Sequence, residues 1–162
     1  MSGVVEGFGR LHPALVHFPV ALILTAAVAE LLYMWRREQR FGDAARFMVA
    51  ASAWLAVPAA AAGFAGATEL APSLERVFSV HRITGVGLPI LAFLVYAMSE
   101  GARRSGQVWE QMAYRLFLLV AVAGVLVAAY SGGLLAHGAA SETGRIGAAG
   151  DFGLTPYRMI WY

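Results

Sequence analysis

The sequence predicts an all-α integral membrane protein, a four-helix up-down bundle with both termini on the same side of the membrane. Hydrophobic residues make up 59% of the 162-residue chain and charged residues only 14%, against about 25% charged in a typical soluble domain. Four apolar stretches are each long enough for the helix of roughly 20 residues that crosses the hydrocarbon core of a bilayer. An even number of crossings returns the chain to the side on which it began.

The four predicted spans cover residues 13–35, 44–67, 82–99 and 112–136. Pro13 suits the first turn of span one, because a backbone N–H is not needed there. Pro58 and Pro89 fall inside spans two and three, where we expect kinks. Residues 1–137 are therefore taken as one transmembrane domain, and residues 138–162 as a glycine-rich periplasmic tail.

The distribution of arginine predicts the orientation of the bundle. Four arginines follow span one and three follow span three, whereas the segment after span two contains only Arg76 and Arg82. Short loops that are rich in arginine stay on the cytoplasmic side. We therefore expect a multi-pass protein of the bacterial inner membrane with both termini in the periplasm.

The sequence contains no cysteine. This excludes disulfides, thiolate metal sites, iron–sulfur clusters and covalent c-type haem attachment. Any metal or haem must then be held by histidine, methionine, carboxylate or backbone groups. The net charge of +2 and the lack of a basic aromatic patch give no indication of a nucleic-acid partner.

All four histidines fall at one level of the predicted bundle. His12 and His17 lie at the start of span one. His81 lies immediately before span three, which starts on the same side, and His137 follows span four, which returns to that side. His12 and His17 are about 140° apart around a helix, so they do not share a face. We expect His17 to point into the bundle, because it lies about 6 Å inside Pro13 along the helix.

Imidazoles on separate helices, in a chain without thiols, match the ligand set of a b-type haem. Two histidines on facing helices bind the iron axially, and the interior of the bundle encloses the porphyrin. Spans one and three are diagonal neighbours in an up-down bundle. We therefore expect His17 and His81 as the axial pair and His137 as the competing ligand. His12 would serve a propionate or a second site.

Arginines and glycines at the same level meet the other requirements of a haem. Arg10 precedes His12 and Arg82 follows His81, so both are placed to pair with the propionates. Small residues allow a flat ring to approach the backbone. The glycines near the histidine level are Gly63, Gly66, Gly85, Gly87, Gly132 and Gly133.

Two alternatives to haem follow from the same residues. In the first, His17, His81 and His137 hold copper, zinc or iron, with Glu69 at the end of span two as a further ligand. In the second, the protein is a structural or assembly subunit of a larger membrane complex and has no cofactor. The histidines would then be polar anchors at the membrane interface.

Glu30 is the charged residue inside span one. An ionisable residue at membrane depth suggests a functional site, and this one could accept protons from a quinol. We favour an ion pair with an arginine of the neighbouring loops, such as Arg36 or Arg104.

Three motifs carry a family resemblance. LHPALVHFP begins span one, HRITG opens span three and SGGLLAHG ends span four. Over residues 11–138 the chain resembles an uncharacterised bacterial family of predicted four-helix membrane proteins, a domain of unknown function with an HP-x-x-VHFP signature. In related multidomain proteins this module stands beside c-type cytochrome domains, which implies redox work at the outer face. The matching positions are His12, Pro13, His17, Pro19, His81, Gly85, Gly132, Gly133 and His137.

We therefore predict a membrane electron-transfer subunit that binds haem b near the periplasmic face. It would relay electrons between a quinol and a periplasmic c-type cytochrome or another subunit of a membrane complex. We expect a redox carrier subunit rather than a stand-alone enzyme, with the lipid bilayer as its surroundings.

Overall fold

The computed structural model describes residues 2–66 and 74–147, and this part of the chain consists of α-helices with no β-strand. Four of the helices are long and apolar enough to cross a membrane, which confirms the predicted fold class. The helices are α1 (Ser2–Gly9), α2 (His12–Arg36), α3 (Gln39–Gly66), α4 (Glu75–Ser105) and α5 (Val108–Gly147).

The four long helices form a bundle in which each helix packs against the next along the chain and α5 packs against α2. α2 and α4 are therefore diagonal and run in the same direction, as the up-down prediction requires. We call the end where α2 and α4 begin the histidine end, because it contains His12 and His81. The other end contains the two short connections, residues 37–38 and 106–107, and we call it the arginine end.

The helices extend beyond the predicted spans. α4 begins at Glu75, before the predicted start of span three, and α5 continues to Gly147. Residues 138–147, the first part of the expected tail, are thus helical. No proline interrupts them, and their alanines favour the helix. Residues 148–162 and Glu69 lie outside the described residues. α3 and α4 continue through Pro58 and Pro89, and the expected kinks there stay a prediction.

Small side chains fill the interior of the bundle, while large ones face outward. The buried positions are mostly alanine, among them Ala26, Ala53 and Ala121. Small residues let helices approach closely in lipid, where packing rather than the hydrophobic effect holds them together. Trp54 and Ile90 are among the large apolar side chains on the outer surface, which suits contact with lipid.

The α2–α3 and α4–α5 pairs are equivalent hairpins. Their first helices end at Arg36 and Ser105 and their second helices begin at Gln39 and Val108, so corresponding positions lie 69 residues apart (36 to 105, 39 to 108). Because the hairpins run in the same direction, an approximate two-fold axis lies between α2 and α4, parallel to the helices. Parallel repeats of this kind occur in membrane proteins, with the axis along the membrane normal. The sequence analysis did not find this repeat.

The two hairpin connections contain equivalent residues in the left-handed conformation. Arg37 has φ of 58° and Gly106 has φ of 66°, and the N–H of each donates to a carbonyl of the preceding turn. A side chain in this region is strained, whereas glycine is not. We expect Arg37→Gly to raise the free energy of unfolding by about 1 kcal/mol, and Gly106→Ala to lower it by a similar amount. Denaturant unfolding of the two variants in detergent measures both changes in the free energy of unfolding. Two changes of the same sign would contradict this explanation.

Candidate functional site

His12 and His81 contact each other at the centre of the histidine end. Their ring centroids are 6.1 Å apart and the ring planes are 84° to each other. Both side chains are half-buried. Since α2 and α4 are diagonal, the pair lies close to the approximate two-fold axis, and each hairpin contributes one imidazole.

The two imidazoles make the same hydrogen bond to the second helix of their own hairpin. Nδ1 of His12 lies 2.8 Å from the Ala59 carbonyl oxygen, and Nδ1 of His81 lies 3.0 Å from that of Ala128. In both cases the carbonyl is 47 residues further along the chain. A carbonyl accepts only, so each Nδ1 carries a proton and donates it. In the neutral ring Nε2 then has a free lone pair, which is the usual arrangement of a metal-binding histidine.

Two equivalent glycines give the imidazoles their space. A Cβ at Gly63 would lie 2.8 Å from Cε1 of His12, and a Cβ at Gly132 would lie 3.0 Å from Cε1 of His81. Gly132 therefore makes room for the His81 side chain. The sequence analysis had assigned it to the approach of a flat porphyrin ring to the backbone. Gly85 and Gly133 face open space, because no atom lies within 4 Å of a Cβ at either position.

A comparison of Gly132→Ala with Gly133→Ala, a substitution at the next residue, tests this packing. We expect Gly132→Ala to lower the free energy of unfolding by about 1–2 kcal/mol, because the added methyl group displaces the His81 ring. Gly133→Ala meets no neighbour, so we expect it to be neutral or stabilising, since alanine favours the helix. Chemical unfolding of both variants in the same detergent makes the comparison. Equal effects of the two substitutions would contradict the assigned role of Gly132.

His17 does not take part in the pair. Its side chain is exposed, and its Nδ1 is hydrogen-bonded to the Pro13 carbonyl oxygen of its own helix. The expectation that His17 points into the bundle is wrong. The rotation of about 140° between the two positions places His12 inside and His17 outside, and depth along the helix does not decide the matter. His137 is also exposed, near the last described side chains of α5.

The predicted propionate partners, Arg10 and Arg82, are both exposed at the histidine end. The Arg82 guanidinium lies 5.9 Å from the centroid of the Phe78 ring. Their role toward a propionate stays a prediction. The sequence analysis missed the carbonyl partners Ala59 and Ala128, although the pattern A-A-x-x-G occurs at both, ending at Gly63 and Gly132.

The histidine pair has no third ligand within residues 2–66 and 74–147. No three His, Cys, Asp or Glu side chains lie close enough there to hold a metal ion. The set of His17, His81 and His137, expected for a non-haem metal, is therefore not assembled in the structure.

At the arginine end, two ion pairs connect the hairpins. Nε of Arg115 lies 2.8 Å from Oε1 of Glu30, and Nε of Arg46 lies 3.9 Å from Oε1 of Glu100. Arg46 and Arg115 are equivalent positions in the repeat, so each second helix contacts the first helix of the other hairpin. Glu30 does pair with an arginine, as expected, but the partner comes from α5 because α5 packs against α2.

One family model matches this chain. Its description is a predicted membrane protein (DUF2231), and it matches residues 10–143. No curated protein and no solved structure matches the chain. The matched range includes both members of the histidine pair, but the family description names no activity. A function for the pair must therefore be inferred from the geometry of the site.

Proposed function

Since the protein belongs to the DUF2231 family of predicted membrane proteins, we propose that it is a membrane electron carrier that binds haem b between His12 and His81. The contact between these two imidazoles, with centroids 6.1 Å apart, is the observation that supports this most. Both imidazoles would hold the haem iron through Nε2, the ring nitrogen that the hydrogen bonds to Ala59 and Ala128 leave free.

The number of ligands favours haem over a non-haem metal. Haem iron receives four nitrogens from the porphyrin and needs one or two axial ligands from the protein. Zinc and copper centres usually need three or four protein ligands. The described residues bring together two imidazoles without a third His, Cys, Asp or Glu side chain, and two imidazoles would meet the need of a haem.

The chain's own residues would hold and orient the group. The Nδ1–H bonds to Ala59 and Ala128 keep both imidazoles in the tautomer with a free Nε2 and restrict their rotation. Arg10 and Arg82 would neutralise the propionates. The open space beside Gly85, one helical turn after His81, would accept part of the macrocycle. When bound, the haem supplies one-electron exchange.

The arginine-rich end would lie in the cytoplasm, which puts the histidine pair near the periplasmic face of the inner membrane. A quinol in the bilayer would be the electron donor. A c-type cytochrome or another subunit of a membrane complex would be the acceptor on the periplasmic side.

The optical spectrum of the purified protein, produced with a supply of haem precursor, tests the proposal. We expect a Soret band that shifts on reduction with dithionite and one iron per chain. Stoichiometric copper or zinc without a Soret band would overturn the haem proposal in favour of a metal site. A colourless, metal-free protein that also fails to take up added hemin would overturn it in favour of a structural subunit.

A further inference from the structure

A second polar site lies at the arginine end, away from the histidine pair. It is a cavity of about 160 Å³ lined by residues of all four long helices. Its lining includes Glu30, Tyr33, Arg46, Ser99 and Tyr114. Glu30 is about 27 Å from His12 along α2, at 1.5 Å per residue, so the two sites are separate.

Tyr114 gives the cavity an unused hydrogen-bond donor. The residue is 5% exposed, and its hydroxyl has no hydrogen-bond partner among the described residues. A buried hydroxyl without a partner is uncommon and costs free energy. The Glu30 carboxylate is close enough to act as its acceptor when no ligand is present, and one of that carboxylate's oxygens is already bonded to Arg115.

The charges around the cavity favour a neutral ligand. Glu30 is paired with Arg115, and Arg46 lies between Asp43 and Glu100. Arg103, which also lines the cavity, is paired with Glu100 as well. Because positive and negative groups balance, the cavity does not select an ion of either sign. The Tyr114 hydroxyl can donate a hydrogen bond to such a ligand, and the second Glu30 oxygen can accept one.

The size of the cavity indicates a single ring. An engineered protein cavity of about 150 Å³ binds benzene, so about 160 Å³ accommodates one six-membered ring. Tyr33 and Tyr114 contribute aromatic surface to the lining. A neutral ring whose oxygens accept a hydrogen bond in one redox form, and both accept and donate in the other, has the chemistry of a quinone and its quinol.

The two hairpins also differ where the cavity lies. Glu30 corresponds to Ser99 in the repeat, and Tyr114 corresponds to Ala45. At the histidine end, by contrast, the residues of the paired contacts are the same in both halves, namely His12 and His81, Ala59 and Ala128, and Gly63 and Gly132. The cavity thus depends on residues that one hairpin has and the other lacks, as expected of a site that binds one asymmetric ligand.

We propose that this cavity binds the head group of a lipid-soluble quinone, in its oxidised or reduced form. The Tyr114 hydroxyl donates to a quinone oxygen, and Glu30 accepts from a quinol hydroxyl. This is a binding site that goes beyond the proposed haem site, and it does not depend on haem being present.

Titration of the purified full-length protein with decylubiquinone, in detergent and in lipid nanodiscs, tests the proposal. We expect saturable binding of one quinone per chain, and a dissociation constant at least about 5-fold higher for Tyr114→Phe, which loses the donated hydrogen bond. Tyr114→Phe removes a single hydroxyl and keeps the ring, so it should fold as the parent protein does. Tyr130→Phe is the matched control, because Tyr130 is exposed and lies toward the histidine end.

Absence of saturable binding in the parent protein would overturn the proposal, and so would equal affinity of Tyr114→Phe and the parent. Recording the haem spectrum of the same samples separates the two proposals. A haem-containing protein that does not bind quinone refutes the cavity proposal alone. A haem-free protein that binds quinone through Tyr114 supports the cavity proposal and refutes the haem one.

Discussion

We expect that replacing His12 or His81 with alanine removes the haem of the proposed site, whereas His17→Ala leaves the haem content of the purified protein unchanged. Each member of the pair would supply one of two axial ligands, and the described residues offer no substitute nearby. His17 is exposed and bonded within its own helix, so its loss leaves the pair intact. The ratio of Soret to protein absorbance, measured after identical purification, gives the result.

His17→Ala is also the matched control, because it removes an imidazole from the same helix at nearly the same depth. The Ala59 and Ala128 carbonyls lie within helices, so loss of the imidazole bond should cost only about 1 kcal/mol and leave the bundle folded. Circular dichroism checks this. If His17→Ala loses haem while His12→Ala keeps it, the assigned ligand pair is wrong.

We expect Glu30→Ala to lower the free energy of unfolding by about 3 kcal/mol, the largest stability effect of any single substitution considered. Glu30 is buried, with a side chain only 8% exposed, and it neutralises Arg115 between the two hairpins. Its removal leaves a partly buried guanidinium without a counter-charge. This value is at the lower end of the free-energy losses that follow when a buried ion pair is broken. The reason is that Arg115 is 25% exposed and also donates a hydrogen bond to Gln111. Unfolding with denaturant in mixed micelles measures it.

The exposed ion pair between Arg40 and Glu38 is the control, since both side chains are largely in solvent. Glu38→Ala should change stability little. The double variant Glu30→Ala/Arg115→Ala should cost less than the two single changes added together, because no uncompensated charge remains. Equal effects of Glu30→Ala and Glu38→Ala would show that the pair does not hold the hairpins together.

Much of the architecture was predictable because bilayer thickness limits the options. Four apolar stretches, each about one bilayer in length, led to four helices, and short connections made the neighbours antiparallel. From that topology alone His12 and His81 had to share one end, and α2 and α4 had to be diagonal. The bounds of α4 and α5 were less predictable, because a helix can continue into water after its apolar part ends.

The choice between His12 and His17 was not predictable from depth. Both lie in the first turns of α2, and which of them faces the interior depends on how α2 is rotated against α3. That rotation follows from close packing of alanines such as Ala26 and Ala53 along the interface. The prediction favoured the deeper residue and therefore selected the wrong face.

The repeat was missed because the two hairpins have few residues in common. What they share is mainly a histidine in the first helix, an arginine early in the second (Arg46 and Arg115), and the A-A-x-x-G pattern that ends at Gly63 and Gly132. These few positions carry the equivalent contacts, while lipid-facing positions vary because any apolar side chain is suitable there.

Composition and the lengths of the apolar runs were sufficient to predict the membrane class, the number of crossings and the common level of the imidazoles. These three properties depend only on the energy of placing polar groups in lipid. Which imidazoles meet, which carbonyls orient them and which arginine neutralises Glu30 required the three-dimensional packing. Those contacts join residues 47 to 85 positions apart, and their distances depend on helix rotation and register, which no local pattern encodes.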